Sequence, residues 1–211
     1  MKATILSTLR AFVLLLVAAN LALAQAPQAG SEGKATRDYA AEEVGWKTRF
    51  PSNWKAITAE ERAKLDAAGK KAIEKATGGA PDTSGVKELL SIRKDEVNAF
   101  LATAEPYDEA ADGPYADTQK KILETMIEAY KDSGVKVGKT ASGKATIDGL
   151  EFYTIECELL HPTTGVPLMQ QKLYSRLING FDFSMTISSN NDQDRKVMEA
   201  IVTASKFSKR K

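Results

Sequence analysis

Hydrophobic and polar residues alternate along several stretches of the chain, with the period of two that is typical of half-buried β-strands. The first stretch, Val44 to Phe50, carries Val, Trp, Thr and Phe on one side and ends at a Pro-Ser-Asn turn. Two shorter stretches, residues 88–93 and 98–104, are separated by a Lys-Asp-Glu turn. We therefore expect one strand near residue 44 and a pair of strands further along the chain.

The second half of the chain predicts an antiparallel meander of four strands. The predicted strands are residues 135–140, 145–160, 168–178 and 181–188. A Ser142-Gly143 turn is expected to join the first two, and Asp148-Gly149 marks a break within the second. Asn179-Gly180, between the third and fourth, is the dipeptide most typical of a tight hairpin.

Three segments have a helical period instead. Thr58 and Glu61 have the spacing of a capping box, so a helix is predicted from Thr58 to about Ala76, with a thin apolar face. A glycine-rich loop over residues 78–85 follows it. A second helix is predicted from one continuous apolar face and is expected to end at Gly134; the face consists of Ile122, Leu123, Met126, Ile127 and Tyr130. The predicted cap of this helix is Asp117 or Thr118. A last helix is predicted to start near Asn190, with the buried face Val197, Met198, Ile201 and Val202.

The N-terminus has the three parts of a cleavable secretory signal peptide. Lys2 and Arg10 precede a short apolar run, and Ala-Leu-Ala ends at Ala24 as a small-x-small cleavage site. The apolar run is shorter than the roughly 20 residues that span a bilayer as a helix, so no stable membrane span is expected after cleavage. Residues 1–24 are thus predicted to direct the protein to the periplasm or outside the cell, and residues 25–43 to form a flexible leader.

Charge limits the possible partners. Removing residues 1–24 takes away Lys2 and Arg10 and no acid, which turns the formal charge from +1 to −1. A near-neutral domain has no general attraction for nucleic acid or anionic lipid, and no nucleic-acid partner is expected. Cys157 is the single cysteine, so the fold has no internal disulfide.

The element order predicts an α+β fold, because consecutive hairpin-linked strands alternate with separate helices. We expect one domain over residues 44–207, an antiparallel sheet of about six or seven strands with helices packed on its faces, and a basic tail over residues 208–211.

A resemblance to the PsbP-like superfamily, which includes DcrB-type and LpqN-type bacterial envelope proteins, rests on three features. They are the Phe50-Pro51-x-x-Trp54 entry, the amphipathic helix before a four-stranded meander, and the final helix leading into Ser205-Lys206-Phe207. The resemblance implies an α/β/α sandwich and a binding or accessory module without a shared active site. No functional residue is transferred by it.

Two residues are the candidates for catalysis. His161 is the single histidine, and a hydrolase of unrecognised type would have to use it with nearby carboxylates. Its place before Pro162 favours a solvated turn residue. Cys157 lies in phase with Tyr153 and other apolar positions, which favours a small core residue, and we expect its acidic neighbours to raise its pKa.

Carboxylates give two further candidates. A loop of acids offers a weak calcium site and hence an alternative function as a Ca²⁺-dependent accessory module, although it lacks the spacing of a calcium loop; its members are Glu105, Asp108, Glu109 and Asp112. Glu156 and Glu158 share a strand face at a spacing that glycosidases use. Lys172 or Arg176 on the next strand is expected to pair with them.

Aromatic and basic residues complete the set. Tyr107 and Tyr115 bracket the acidic loop and are the predicted exposed contact, whereas Trp46 is expected in the core. The C-terminal bases are predicted to form a solvated terminus; they are Lys206, Lys209, Arg210 and Lys211. The sequence therefore predicts an exported, non-enzymatic protein without a cofactor. It is expected to bind a protein partner or an apolar ligand through the sheet surface or through loops 78–85 and 105–115.

Overall fold

The computed structural model describes residues 35–79 and 82–208. The predicted signal peptide, the start of the leader and the last three residues of the tail lie outside these ranges. The helices are α1 Ala59–Thr77, α2 Glu109–Asp112, α3 Tyr115–Asp132 and α4 Asp192–Thr203. The strands are β1 Thr36–Ala41, β2 Trp46–Pro51, β3 Lys55–Ala56, β4 Lys87–Arg93, β5 Ala99–Pro106, β6 Lys136–Ile147, β7 Leu150–Leu160, β8 Pro167–Ile178, β9 Phe181–Ser189 and β10 Lys206–Phe207.

The strands form two antiparallel sheets. The larger has seven strands in the order β3-β4-β5-β9-β8-β7-β6, and the smaller has three in the order β1-β2-β10. The predicted α+β class and the size of the main sheet are confirmed. The meander β6 to β9 also keeps its sequence order in space.

Each face of the seven-stranded sheet has its own core. On one side, here called the α4 face, α4 and the small sheet pack over buried aromatics that include Trp46, Phe152 and Phe183. On the other, the α3 face, α1 and α3 pack over Ile155, Leu159 and their neighbours. No helix within the described residues combines the length and apolar character needed to cross a membrane.

The helix ends follow the sequence signals in part. Thr58 and Glu61 form the predicted capping box at the start of α1, whose side chains contribute little to the core beyond the buried Ile73. The predicted cap of α3 was wrong, because the N-cap is Pro114, without a side-chain hydrogen bond. Proline before the first turn sets the chain direction there, so Asp117 lies inside the first turn instead.

Both ends of the domain are more ordered than predicted. Residues 36–41, assigned to the leader, form β1, which pairs with β2 and sets the Tyr39 ring 5.5 Å from that of Trp46. This strand has few large aliphatic residues, so its pairing rather than its own pattern defines it. The Lys206 side chain is exposed as predicted, but its backbone is not frayed, because it lies in β10 and its Nζ is 2.8 Å from Asp148 Oδ1.

The backbone conformation shows where the meander turns. Asn179 and Gly180 both have positive φ, as a tight primed hairpin turn requires, and the predicted hairpin is confirmed. Asp148 and Gly149 also have positive φ and join β6 to β7. The predicted turn at Ser142-Gly143 was wrong, since these residues continue β6 as a strand.

Candidate functional site

A polar groove opens on the α4 face, where β6, β7 and β8 extend beyond the cover of α4. Its volume is about 650 Å³. Three bases and three acids line it: Lys139, Lys172, Arg195, Glu156, Glu158 and Glu199. The cavity is therefore bordered by charges of both signs, which favour a partner that carries complementary charges.

The centre of the polar groove is an ion pair across neighbouring strands. Glu156 and Lys172 are register partners in β7 and β8, and Lys172 Nζ lies 2.6 Å from Glu156 Oε1. The same ammonium stands 5.2 Å from the centre of the Tyr174 ring. Partial burial opposes the charge, but the bond to Glu156 raises the pKa of Lys172 above its usual value. The pairing of Glu156 with Lys172 is as predicted, whereas Arg176 binds the Glu151 carbonyl instead.

A bulge in β6 positions the second acid of the polar groove. The β6–β7 register shifts between Val137 and Thr140, and the Lys139 backbone N–H donates to Glu158 Oε2 at 3.3 Å. A Cβ on Gly138 would come within 2.6 Å of this oxygen. A side chain at residue 138 would therefore displace the Glu158 carboxylate from its place over the bulge.

The helix side of the polar groove is held by Arg195. Its guanidinium donates to Gln170 Oε1 on β8 at 2.7 Å and to Asp192 Oδ1 at 2.9 Å. These bonds tie the start of α4 to the sheet. Arg195 therefore joins the helix wall of the groove to its sheet floor.

Cys157 lies under the polar groove but belongs to the other face. It is 2% exposed within the core of the α3 face, as predicted. Burial raises the pKa of its thiol to about 11. The expected cause was wrong: Glu156 and Glu158 point to the opposite side of the strand, and loss of hydration accounts for the shift.

A buried polar cluster lies on the α3 face, under the start of α3. Asp182 of β9 is 3% exposed, and Tyr115 donates its hydroxyl to Asp182 Oδ1 at 2.6 Å. Glu105 of β5 is 2% exposed and is the register partner of Asp182. Opposite residues on antiparallel strands hold their Cβ atoms about 5 Å apart, so two carboxyl groups are neighbours in the interior. Burial raises the pKa of Asp182 to about 7, against the opposing effect of the Tyr115 hydrogen bond.

The two tyrosines predicted as an exposed contact are in fact buried. Tyr107 and Tyr115 are 8% and 7% exposed, and their rings meet edge to face at 5.2 Å. The Tyr107 hydroxyl bonds to the Gly113 carbonyl and to the Thr118 hydroxyl. Their hydroxyls have partners inside the protein, which is how a buried tyrosine satisfies its polar end.

The predicted acidic loop does not gather its carboxylates around one point. Glu105 lies in β5, while Asp108 caps α2 by accepting from the Ala110 N–H at 2.9 Å. Glu109 accepts from the Tyr115 N–H, and Asp112 accepts from the Asp108 N–H. Across residues 35–79 and 82–208, no three His, Cys, Asp or Glu side chains are arranged to hold a metal ion.

His161 lies exposed in the loop between β7 and β8. Its Nδ1 accepts from the backbone N–H groups of Thr163 and Thr164 at 3.3 and 3.2 Å. The ring therefore closes a turn. The hydrolase hypothesis gains no acid partner for it within the described part of the chain.

Sequence reasoning missed the polar groove and the burial of Asp182. Glu156, Glu158 and Lys172 were singled out, but Lys139 and Arg195 come from a bulge and a helix that no local pattern places beside them. Asp182 alternates with Phe181 and Phe183, which made it seem a solvent-facing position. The sequence signal that was available is Tyr115, the aromatic residue that begins α3.

Comparison with known proteins supports the fold. No protein-family model matches the chain, and no curated protein matches its sequence. The solution structure of cyanobacterial PsbP (CyanoP) from Synechocystis sp. PCC 6803 covers 88% of this chain and 99% of its own length, with 12% identity and a TM-score of 0.56. A crystal structure from Bacteroides thetaiotaomicron VPI-5482 covers 85% of this chain and 50% of its own, with 10% identity and a TM-score of 0.43. The first likeness shows that the chain has a PsbP-like fold.

Proposed function

We propose that the protein is an exported, non-enzymatic accessory protein of the bacterial envelope that binds a protein partner through the polar groove. The observation that supports this proposal is the groove itself, an open cavity on the sheet that is bordered by charges of both signs. Alternating charges of this kind select a partner by electrostatic complementarity more than by apolar burial. The PsbP-like fold supports a binding role, and relation to the DcrB or LpqN type is part of the proposal.

Substitutions that remove positive charges from the groove test this proposal. Tagged full-length protein is expressed in its own cell and crosslinked, and the captured proteins are quantified by mass spectrometry. Lys172→Gln and Arg195→Gln together are expected to reduce the capture of a specific partner by about tenfold or more, which corresponds to roughly 1.4 kcal/mol. Lys196→Gln is the matched control, because Lys196 is exposed on the same helix but does not line the groove.

Two results would overturn the proposal. One is a partner set that is the same for the groove variant and for the wild type, with both folded to the same extent. The other is turnover of a substrate by the purified protein that a single substitution abolishes without unfolding.

A further inference from the structure

One rim of the polar groove is an open sheet edge. β6 is the outermost strand of the seven-stranded sheet and is twelve residues long. Residues 139–144 are exposed on both faces of the strand. Lys139, Thr140 and Ala141 also line the groove, so the edge and the cavity are continuous.

The hairpin geometry shows which backbone groups are available at this edge. Ile147 and Leu150 flank the two-residue Asp148-Gly149 turn and therefore form the first hydrogen-bonded pair of the ladder. Hydrogen-bonded and non-hydrogen-bonded pairs alternate from there. Residues 140, 142, 144 and 146 consequently direct their N–H and C=O groups away from β7 and toward solvent.

Side chains along the edge indicate the kind of strand it would accept. β6 contains three lysines, Lys136, Lys139 and Lys144, and no acidic residue. Between the last two lie only small and hydroxyl side chains, which allow a second backbone to approach closely. Lys144 is bonded to Glu151, but Lys136 and Lys139 have no ion pair with any residue of the described ranges.

A second copy of the chain is a poor occupant of this edge. Two paired copies would each bring three lysines and no acid to the new strand pair, and the symmetric antiparallel register centred on the outward-facing Lys144 would set the two Lys144 side chains directly opposite each other. Like charges directly opposite on paired strands are destabilising, and edge lysines are a common means of preventing self-pairing. An acidic strand meets the same lysines with opposite charge.

We propose that β6 accepts an acidic, extended segment of a partner protein as an additional edge strand beside the polar groove. This inference rests on the proposed function and specifies how the partner is held. Main-chain hydrogen bonds to residues 140–146 supply the binding energy, and Lys136 and Lys139 select the acidic sequence.

A labelled eight-residue peptide of alternating valine and glutamate is the probe, and the same peptide with lysine for glutamate is its control. Binding to the full-length protein is measured by fluorescence anisotropy and located by hydrogen exchange. The acidic peptide is expected to bind at least about tenfold more tightly than the basic one and to protect residues 140–146. Ser142→Pro should weaken this binding by about tenfold or more, because it removes an outward N–H without removing a bond to β7. Ser142→Ala should not weaken it.

Equal binding of the two peptides, no binding of the acidic peptide at millimolar concentration, or protection outside β6 would overturn the inference. So would self-association of the protein that Ser142→Pro abolishes. If the crosslinked partner depends on Arg195 and Lys172 but is unaffected by Ser142→Pro, the edge inference fails and the groove function stands. If the peptide binds β6 but the groove variants retain every partner, the edge stands and the groove function fails.

Discussion

Carboxylates on the two faces of the seven-stranded sheet lie in opposite environments. On the α4 face, the Glu156 side chain is 50% exposed and has a lysine 2.6 Å away. On the α3 face, Asp182 is 3% exposed, and its hydrogen-bond donor is the neutral hydroxyl of Tyr115. Both residues occupy polar positions of alternating strands. The layer that covers each face, rather than the strand pattern, therefore determines what the acid does.

The difference follows from the helices. α4 covers only part of its face and leaves the polar groove in contact with water, where an ion pair costs and gains little. α3 covers the other face from its first turn, and Tyr115 closes the space above Asp182. Since a buried charge without a cation is unfavourable, the Asp182 carboxyl holds its proton to about pH 7.

The largest expected effect is a loss of stability with rising pH that Asp182 causes. Its pKa is 3.8 ordinarily and about 7 in the folded protein. Below pH 3.8 the carboxyl is protonated in both states, so its stabilising contribution is complete. Between these values the folded chain holds a proton that the unfolded chain has lost, and stability falls by about 4 kcal/mol across the interval. Above pH 7 the loss is complete.

Urea unfolding from pH 4 to pH 8 measures this effect as a difference between variants. Asp182→Asn cannot ionise, so its stability relative to the wild type should rise steadily across the interval. Glu156→Gln is the matched control on the exposed face. Its stability curve should run parallel to that of the wild type between pH 5.5 and 8, with an offset on the order of 1 kcal/mol or less. Parallel curves for Asp182→Asn and the wild type would contradict the buried proton.

An intermediate effect is expected from the Tyr115 hydroxyl. Tyr115→Phe removes the donor to a buried carboxyl and should cost about 2 kcal/mol at pH 7, since an unsatisfied buried group loses its full compensation. The hydrogen bond lowers the pKa of Asp182, so its loss should also move the stability transition to higher pH. Tyr107→Phe is the control: it removes a buried hydroxyl of the same cluster that does not bond to Asp182 and should leave the transition in place.

The order of the four meander strands, β6 to β9, was predictable because each of them has its own alternation and its own turn. Such local signals have a limit. Asn179-Gly180 forms the predicted turn, but Ser142-Gly143, a similar pair in the sequence, is part of strand β6. Asp148-Gly149 accepts positive φ at both residues and made the turn instead. β1 could not be predicted from its own residues, since pairing with β2 supplies what its composition lacks.

The candidate site was less predictable for a related reason. Glu156 and Lys172 are neighbours in register, and cross-strand pairing is a local rule that sequence reasoning can apply. Arg195 reaches Gln170 only because α4 packs over β9, the strand that pairs with β8. Tyr115 reaches Asp182 only because the start of α3 lies beside β9, and a contact across 67 residues has no periodic signal.

The smallest expected effect is on the exposed face, at the ion pair of the polar groove. Lys172→Met should change stability by about 1 kcal/mol or less, because Glu156 is half exposed and water replaces the lysine around it. Thermal melting in low and high salt measures the change, and Lys120→Met, at an exposed pair with Asp117 on α3, is the matched control. A loss of several kcal/mol that salt leaves unaltered would show that the pair is as enclosed as Asp182. The contrast between the two faces would then fail, and the polar groove would have to be regarded as part of the core rather than as a surface open to a partner.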